Sequence, residues 1–312
     1  MTALYDRRFL FVTGKGGVGK TTVTMALALG FAARGKRVLC ASCNAKERFS
    51  TVFGTAAVGP DVVPLAPRVW GVNLDPARSM QEYGLMFMKS KTLYRAVFDN
   101  RYVRSFFRAT PGLYEWAMLG KAWWHSTDEA AEQGQGYDVV LLDAPATGHG
   151  LDMLRVPKVI VEVVPPGILR RDAERAWATF SDPTKGGVVV VTLPEDMPVS
   201  ETLELLGSLQ GELGLPVARC VVNAVLPPLF KASERQALLT PRALRAGDAG
   251  DTALGAGVRR ATRELVQAQS VERLRAGANA LPMTYLPFLF EDATSLEAVR
   301  QLSRTLDAAP TT

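Results

Sequence analysis

A chain of 312 residues has room for one large domain or a core with appended pieces, since domains average roughly 150 residues. Its 47% hydrophobic and 21% charged residues, without a biased tract, exclude disordered and fibrous classes, and three cysteines are too few for a disulfide-stapled secreted fold and fit a reducing cytoplasm. The net charge of +5, from 36 basic and 31 acidic side chains dispersed along the chain, argues against nucleic acid or a membrane surface as the primary partner.

Near the N-terminus, Arg7 and Arg8 precede an apolar run, residues 9–12, too short for a signal-peptide core. No window reaches the roughly 18 to 20 apolar residues of a membrane span, so the expected location is the cytoplasm. The run enters a glycine cluster, and residues 23–34 then carry the apolar density of a helix ended near Gly35: strand, loop, helix. Further strands are expected at residues 37–41, 69–74, 138–142, 188–193, 218–222 and 283–286. Most are continuously apolar, as strands buried on both faces of a parallel sheet must be.

Two stretches interrupt the alternation. Residues 76–133 lack strand signals and read as helices broken at Pro111 and Gly112; residues 229–280 also read helical, with nine Lys or Arg against five Asp or Glu. Both are expected to be helical insertions on one sheet core spanning residues 1–312. Residues 151–164 are ambiguous: 159–164 have strand propensity, yet their place after a glycine loop suits a helix. The expected class is α/β, with a mostly parallel central sheet flanked by helices.

The sharpest motif is GKGGVGKTT, residues 14–22, between strand and helix. It satisfies G-x-x-x-x-G-K-[ST] in the context that motif requires. Gly14, Gly16, Gly17 and Gly19, with Val18 between them, let backbone amides wrap a phosphate at a helix N-terminus. Lys20 then reaches the β- and γ-phosphates of ATP, the Thr21 hydroxyl is placed to ligate Mg²⁺, and Thr22 completes the motif. A second element, DAPATGHG at residues 143–150, follows an apolar strand. A carboxylate there, Asp143, can hold a Mg²⁺-bound water.

The extra lysine at the second loop position, Lys15, gives the form GKGGxGK[ST], and with it the chain resembles the ArsA/GET branch of dimeric P-loop ATPases, a class that also contains MinD, ParA and the nitrogenase iron protein. The resemblance covers roughly residues 9–305. It implies that Lys15 reaches across a dimer interface to the partner's nucleotide. Asp143 to His149 is similar to the family's D-T-A-P-T-G-H switch II, with Thr147, Gly148 and His149 matching and Ala144, Pro145 and Ala146 departing. Pro111, Gly112 and Glu115 resemble its P-G-x-x-E element, Pro194, Glu195, Glu201 and Thr202 its P-E and E-T pairs, and Val222 with Asn223 its adenine-contacting V-N. Pro287 and Phe288 resemble its late loop beside the base.

The resemblance fails at switch I. Where the family reads S-T-D-P-A-H, this chain has Ser42, Cys43, Asn44, Ala45, Lys46 and Glu47. Asn44 can hold a water by hydrogen bonds but supplies no negative charge, so slow hydrolysis or none is expected, with Glu47 the nearby alternative carboxylate. Cys40 and Cys43 form a C-x-x-C away from the family's zinc-binding pair, and the region of that pair holds only Cys220. The same count argues against an iron–sulfur cluster and a three-thiolate arsenite site, and two histidines, His125 and His149, leave His149 to orient its loop.

Met80, Met86, Met88, Phe98, Phe106, Phe107, Met118, Trp123 and Trp124 either line a client groove or form the core of the first insertion. The arginines at 242, 245, 259, 260, 263, 273 and 275 read as a solvated face. The expectation is a Mg²⁺-dependent, nucleotide-gated dimer: a homodimer that moves a hydrophobic client or serves a membrane component, or a hydrolysis-poor subunit paired with a related active ATPase.

Overall fold

The strand that enters the glycine loop, β1 (Phe9–Thr13), is buried at all five positions, because both of its faces are covered. Phe9 and Phe11 pack with one core cluster and Leu10 and Val12 with the other. A half-exposed sheet would need alternating polar residues. The computed structural model describes residues 4–88, 112–145, 147–240, 252–290 and 295–307. It contains β1, β2 (Val38–Cys43), β3 (Val63–Ala66), β4 (Val69–Leu74), β5 (Val139–Asp143), β6 (Gly186–Thr192), β7 (Val217–Val225) and β8 (Met283–Pro287) in one sheet of order β3-β4-β2-β5-β1-β6-β7-β8.

All pairings are parallel except β3 with β4. The strand β3 has no counterpart among the expected runs. Its four residues include Pro64, which a sheet accepts only where no ladder hydrogen bond is needed, and it lies at the edge.

Among the described residues the helices are α1 (Lys20–Ala33), α2 (Phe49–Phe53), α3 (Pro76–Met88), α4 (Leu113–Trp124), α5 (Asp128–Glu132), α6 (Thr147–Val163), α7 (Ile168–Ser181), α8 (Asp196–Gly207), α9 (Ala232–Leu238), α10 (Thr252–Gly277) and α11 (Leu296–Asp307). Helices α1, α2 and α11 cover one face of the sheet, and α4, α6, α7, α8 and α10 supply the other core. None is long and apolar enough to cross a membrane.

The ambiguous residues 151–164 lie largely in α6, which carries Pro157 in its interior. The β-branched residues that suggested a strand include Val159 and Val163, both exposed on this helix. In the first insertion, α4 is no separate lobe: Trp116 and Leu119 are wholly buried against the sheet's own core. Met80, Met118 and Trp123 are also buried, whereas the side chains of Met86 and Met88, with Phe98, Phe106 and Phe107, lie outside the described residues.

Candidate functional site

The loop after β1 takes its shape from glycine. Gly14 and Gly19 both have positive φ, 149° and 93°. A Cβ on Gly14 would collide with the Val191 carbonyl of β6, and one on Gly19 with the Asn223 amide of β7. The loop is therefore wedged between two strand ends that only a hydrogen atom can clear. Helix α1 begins at Lys20 with no side chain capping its N-terminus, which leaves its first amides open to an anion. Val18 is buried beneath the loop while Gly16 and Gly17 face solvent, and Thr22 is half-buried in the first turn of α1.

Lys20 turns back into the loop, where its Nζ donates to the carbonyl oxygens of Gly14 and Lys15, each at 3.0 Å. Burial lowers its pKa and the nearby Asp143 carboxylate partly restores it. The parallel register sets Val12 beside Asp143 across β1 and β5, bringing the phosphate loop and the second motif together. Thr21 Oγ1 donates to Asp143 Oδ2 at 2.6 Å. The other carboxylate oxygen, Oδ1, is buried with no partner, as is the Thr13 hydroxyl at the end of β1. Burial pushes the Asp143 pKa up to about 6, against the lowering pull of the Thr21 hydrogen bond and of Lys20. A hydroxyl, a carboxylate with one vacant oxygen and a raised proton affinity are what a hard, hydrated Mg²⁺ would satisfy, so the residues fit that ion.

Lys15 lies in an ion pair within this chain, its Nζ 2.6 Å from Glu201 Oε1 on α8. Asn223, expected beside the base, donates from Nδ2 to the Val18 carbonyl at 2.9 Å and so pins β7 to the phosphate loop. Beyond it a cleft of about 570 Å³ is lined by Leu193, Pro194, Ala224, Leu226, Arg263 and Phe288. Phe288 is held by its amide bond to the Val225 carbonyl, 2.8 Å, directly after Pro287 at the end of β8. Arg263 lies over its ring at 5.8 Å.

Of the arginines expected on a solvated face, Arg259, Arg263, Arg273 and Arg275 are exposed and Arg260 is half-buried, and each has a partner or a place on the cleft. Arg259 and Arg263 line the cleft. Arg260 pairs with buried Glu264 at 2.9 Å, Arg273 with Asp196 at 2.7 Å, and Arg275 donates to the Tyr285 hydroxyl at 2.8 Å. Arg242 and Arg245 lie outside the described residues.

Asn44 is exposed at the end of β2, with φ 43°. Glu47 is engaged elsewhere: its carboxylate accepts from Ser50 N at 2.6 Å, Ser50 Oγ at 2.8 Å and Val58 N at 3.3 Å, holding the start of α2. Two residues of this region escaped the sequence reading. Asn73 on β4 staples the loop, accepting at Oδ1 from Ser42 Oγ (3.0 Å) and Ala45 N (3.3 Å) and donating from Nδ2 to Ala45 O (3.0 Å). Asp75 lines a cleft of about 500 Å³ together with Asn44, Glu115 and Pro145. A lone amide inside the otherwise apolar run V-W-G-V-N-L was the available signal for Asn73.

Cys40 and Cys43 sit three residues apart on β2 and belong to opposite core clusters, so they cannot share a metal ion. Burial pushes all three thiols up, Cys220 to about 12. Ala146 and the side chains of Thr147, Gly148 and His149, like Pro111, lie outside the described residues.

Comparison with known proteins agrees with this geometry. The profile of the anion-transporting ATPase family matches residues 7–165, which hold the phosphate loop and Asp143. The ATPase BagA of Mycobacterium tuberculosis is 28% identical over 323 aligned residues, spanning 96% of this chain and 92% of that protein. An arsenical pump-driving ATPase of Escherichia coli is 26% identical over 72% of this chain and 41% of its own length. An ATPase ASNA1 homolog of Entamoeba dispar is 25% identical over 70% and 77%. With more than half of its residues inside the family profile and a phosphate loop built on β1 and α1 beside Asp143, the chain belongs to the anion-transporting ATPase family of ArsA/GET type.

Proposed function

We propose that the protein binds ATP with Mg²⁺ in the loop of residues 14–22 and acts as a nucleotide-gated dimer that couples binding or hydrolysis to the handling of a client protein or membrane component. The observation that carries this reading is the Thr21–Asp143 hydrogen bond beside a vacant carboxylate oxygen, with Lys20 seated in the loop. When bound, Mg²⁺ would supply positive charge to offset that of the phosphates. Thr21 and Asp143 would hold the ion, Lys20 would exchange its two carbonyls for phosphate oxygens, and the cleft beside Phe288 would take the base. Lys20→Ala should remove most ATP affinity by titration calorimetry while circular dichroism stays unchanged. Undiminished binding in the folded variant would overturn the assignment.

A second reading, a hydrolysis-poor subunit working beside a related ATPase, is favoured by Asn44 standing where switch I of this family carries an aspartate, and by Glu47 being engaged in holding α2. Steady-state turnover of the pure protein, alone and with such a paralogue, separates the two. Arsenite held by three thiolates is not part of either reading. Cys220 lies four strands from β2, about 19 Å at ~4.8 Å per strand, and Cys40 and Cys43 point to opposite faces.

A further inference from the structure

A cavity lies away from the phosphate loop. Tyr137 and Gln135 on its wall precede β5, whose far end carries Asp143, a separation of about 20 Å along the strand direction. Its volume, about 780 Å³, is that of a pocket for a small organic molecule. Helices α3 and α4 form its walls, with the segments before β3 and β5. Aromatic rings dominate it. Tyr83 meets Trp116 edge-on at 6.3 Å, and the His125 ring lies edge-on between Trp124 at 5.2 Å and Tyr137 at 5.9 Å.

Three polar side chains in this wall, Trp116 through its Nε1 and with it Ser79 and His125, are buried with an atom that has no hydrogen-bond partner, which native proteins rarely leave unexplained. Ser79 is 1% exposed and its Oγ has no hydrogen bond. His125 is 4% exposed; its Nδ1 bonds the Gln135 carbonyl at 2.9 Å, so Nδ1 carries the proton and Nε2, which has no partner, is a lone-pair acceptor. Burial holds the ring neutral by lowering its pKa, so this acceptor persists at neutral pH. The carboxylates on the wall each have a counter-charge, Glu82 from Lys121 at 2.6 Å, Asp61 from Arg78 and Asp172 from Arg171 at 3.9 Å, which leaves no net demand for a charged guest. Finally, α4 has a glycine in mid-helix on this wall, at a position where a Cβ would touch nothing nearer than the Trp116 ring at 3.6 Å. Helix stability alone favours alanine there, so the missing side chain enlarges the cavity at a cost to the helix.

We infer that this cavity is a second binding site, distinct from the nucleotide site, for a flat, uncharged aromatic molecule bearing an N–H or O–H donor, which His125 Nε2 and Ser79 Oγ recognise between the tyrosine and tryptophan rings. Stacking supplies affinity, and the unpaired acceptor supplies discrimination, because a guest without the donor leaves it unsatisfied.

Indole and benzofuran, nearly identical in shape and differing in the ring N–H, are the probes. Ligand-observed saturation-transfer NMR on the full chain should show indole binding about tenfold more tightly than benzofuran, the effect of one added hydrogen bond. His125→Phe should bring indole down to the level of benzofuran. Gly120→Leu, which fills the cavity from a helical position, should abolish both. ATP binding should be unchanged in each variant, which also reports that the fold is intact. Equal binding of the two probes, no binding of either, or binding that survives Gly120→Leu in a folded protein would overturn the proposal.

Discussion

Asp143 shows how one residue can report on the site before any nucleotide is added. Burial raises its pKa to about 6, so the folded state holds a proton that the unfolded chain releases nearer 4. A carboxylate shifted upward favours the fold most below its unfolded pKa, and that contribution is lost as pH rises through the folded value. Two pKa units correspond to about 3 kcal/mol. Nucleotide-free protein should therefore lose up to about that much stability relative to Asp143→Asn between pH 4 and pH 7, in urea melts of the two proteins side by side. Parallel curves would mean that the carboxylate is not desolvated. At the end of β2, Asn44→Asp should raise turnover, on the order of 10²-fold if the added carboxylate orients water, with ATP affinity little changed. Unaltered, low turnover would move attention to Asp75 and Glu115, which share the cleft with residue 44.

At the scale of elements, the seven strands predicted from continuous apolar runs were legible because burial on both faces of a parallel sheet leaves a one-dimensional trace. The edge strand β3 was not, since four residues with a proline carry no period, and its pairing with β4 is set by the chain reversal between them. The phosphate loop was equally legible, for its glycines answer to the Val191 carbonyl and the Asn223 amide, clashes that any side chain would produce. The side-chain network of the switch loop was hidden, because Asn73 acts from a strand about 30 residues further on, and nothing local marks that pairing. Glu47 illustrates the same limit: its carboxylate reads as catalytic by proximity, yet folding turns it toward α2. Asn73→Ala removes three hydrogen bonds to Ser42 and Ala45 and should destabilise the protein by about 1 to 3 kcal/mol. It should also speed tryptic cleavage after Lys46 and Arg48, measured against the unmodified chain. Equal cleavage rates would show that Asn73 does not hold the loop.

For the whole molecule, the placement of Lys15 bears on assembly. Its ion pair with Glu201 is partly exposed, so breaking it costs at most about 1 kcal/mol, and a phosphate presented by a second subunit would compete readily. Lys15→Ala should consequently retain ATP binding but lose any ATP-dependent doubling of mass in light scattering, whether the partner is another copy or a related ATPase. A monomeric mass under all these conditions would remove the dimer from the proposal. The strand order has a different consequence, for synthesis. Although β1 is the first strand made, its two neighbours are β5 and β6, ending at Asp143 and Thr192. At translation rates of about 5 to 20 residues per second, the apolar run of residues 9–12 waits on the order of 10 s to 40 s for both of its partners to be made. During that interval it is an unpaired, wholly apolar segment on a growing chain, and the loop that follows has neither the β6 carbonyl nor the β7 amide that shape it. A nucleotide therefore meets no completed loop until β6 and β7 have both been made.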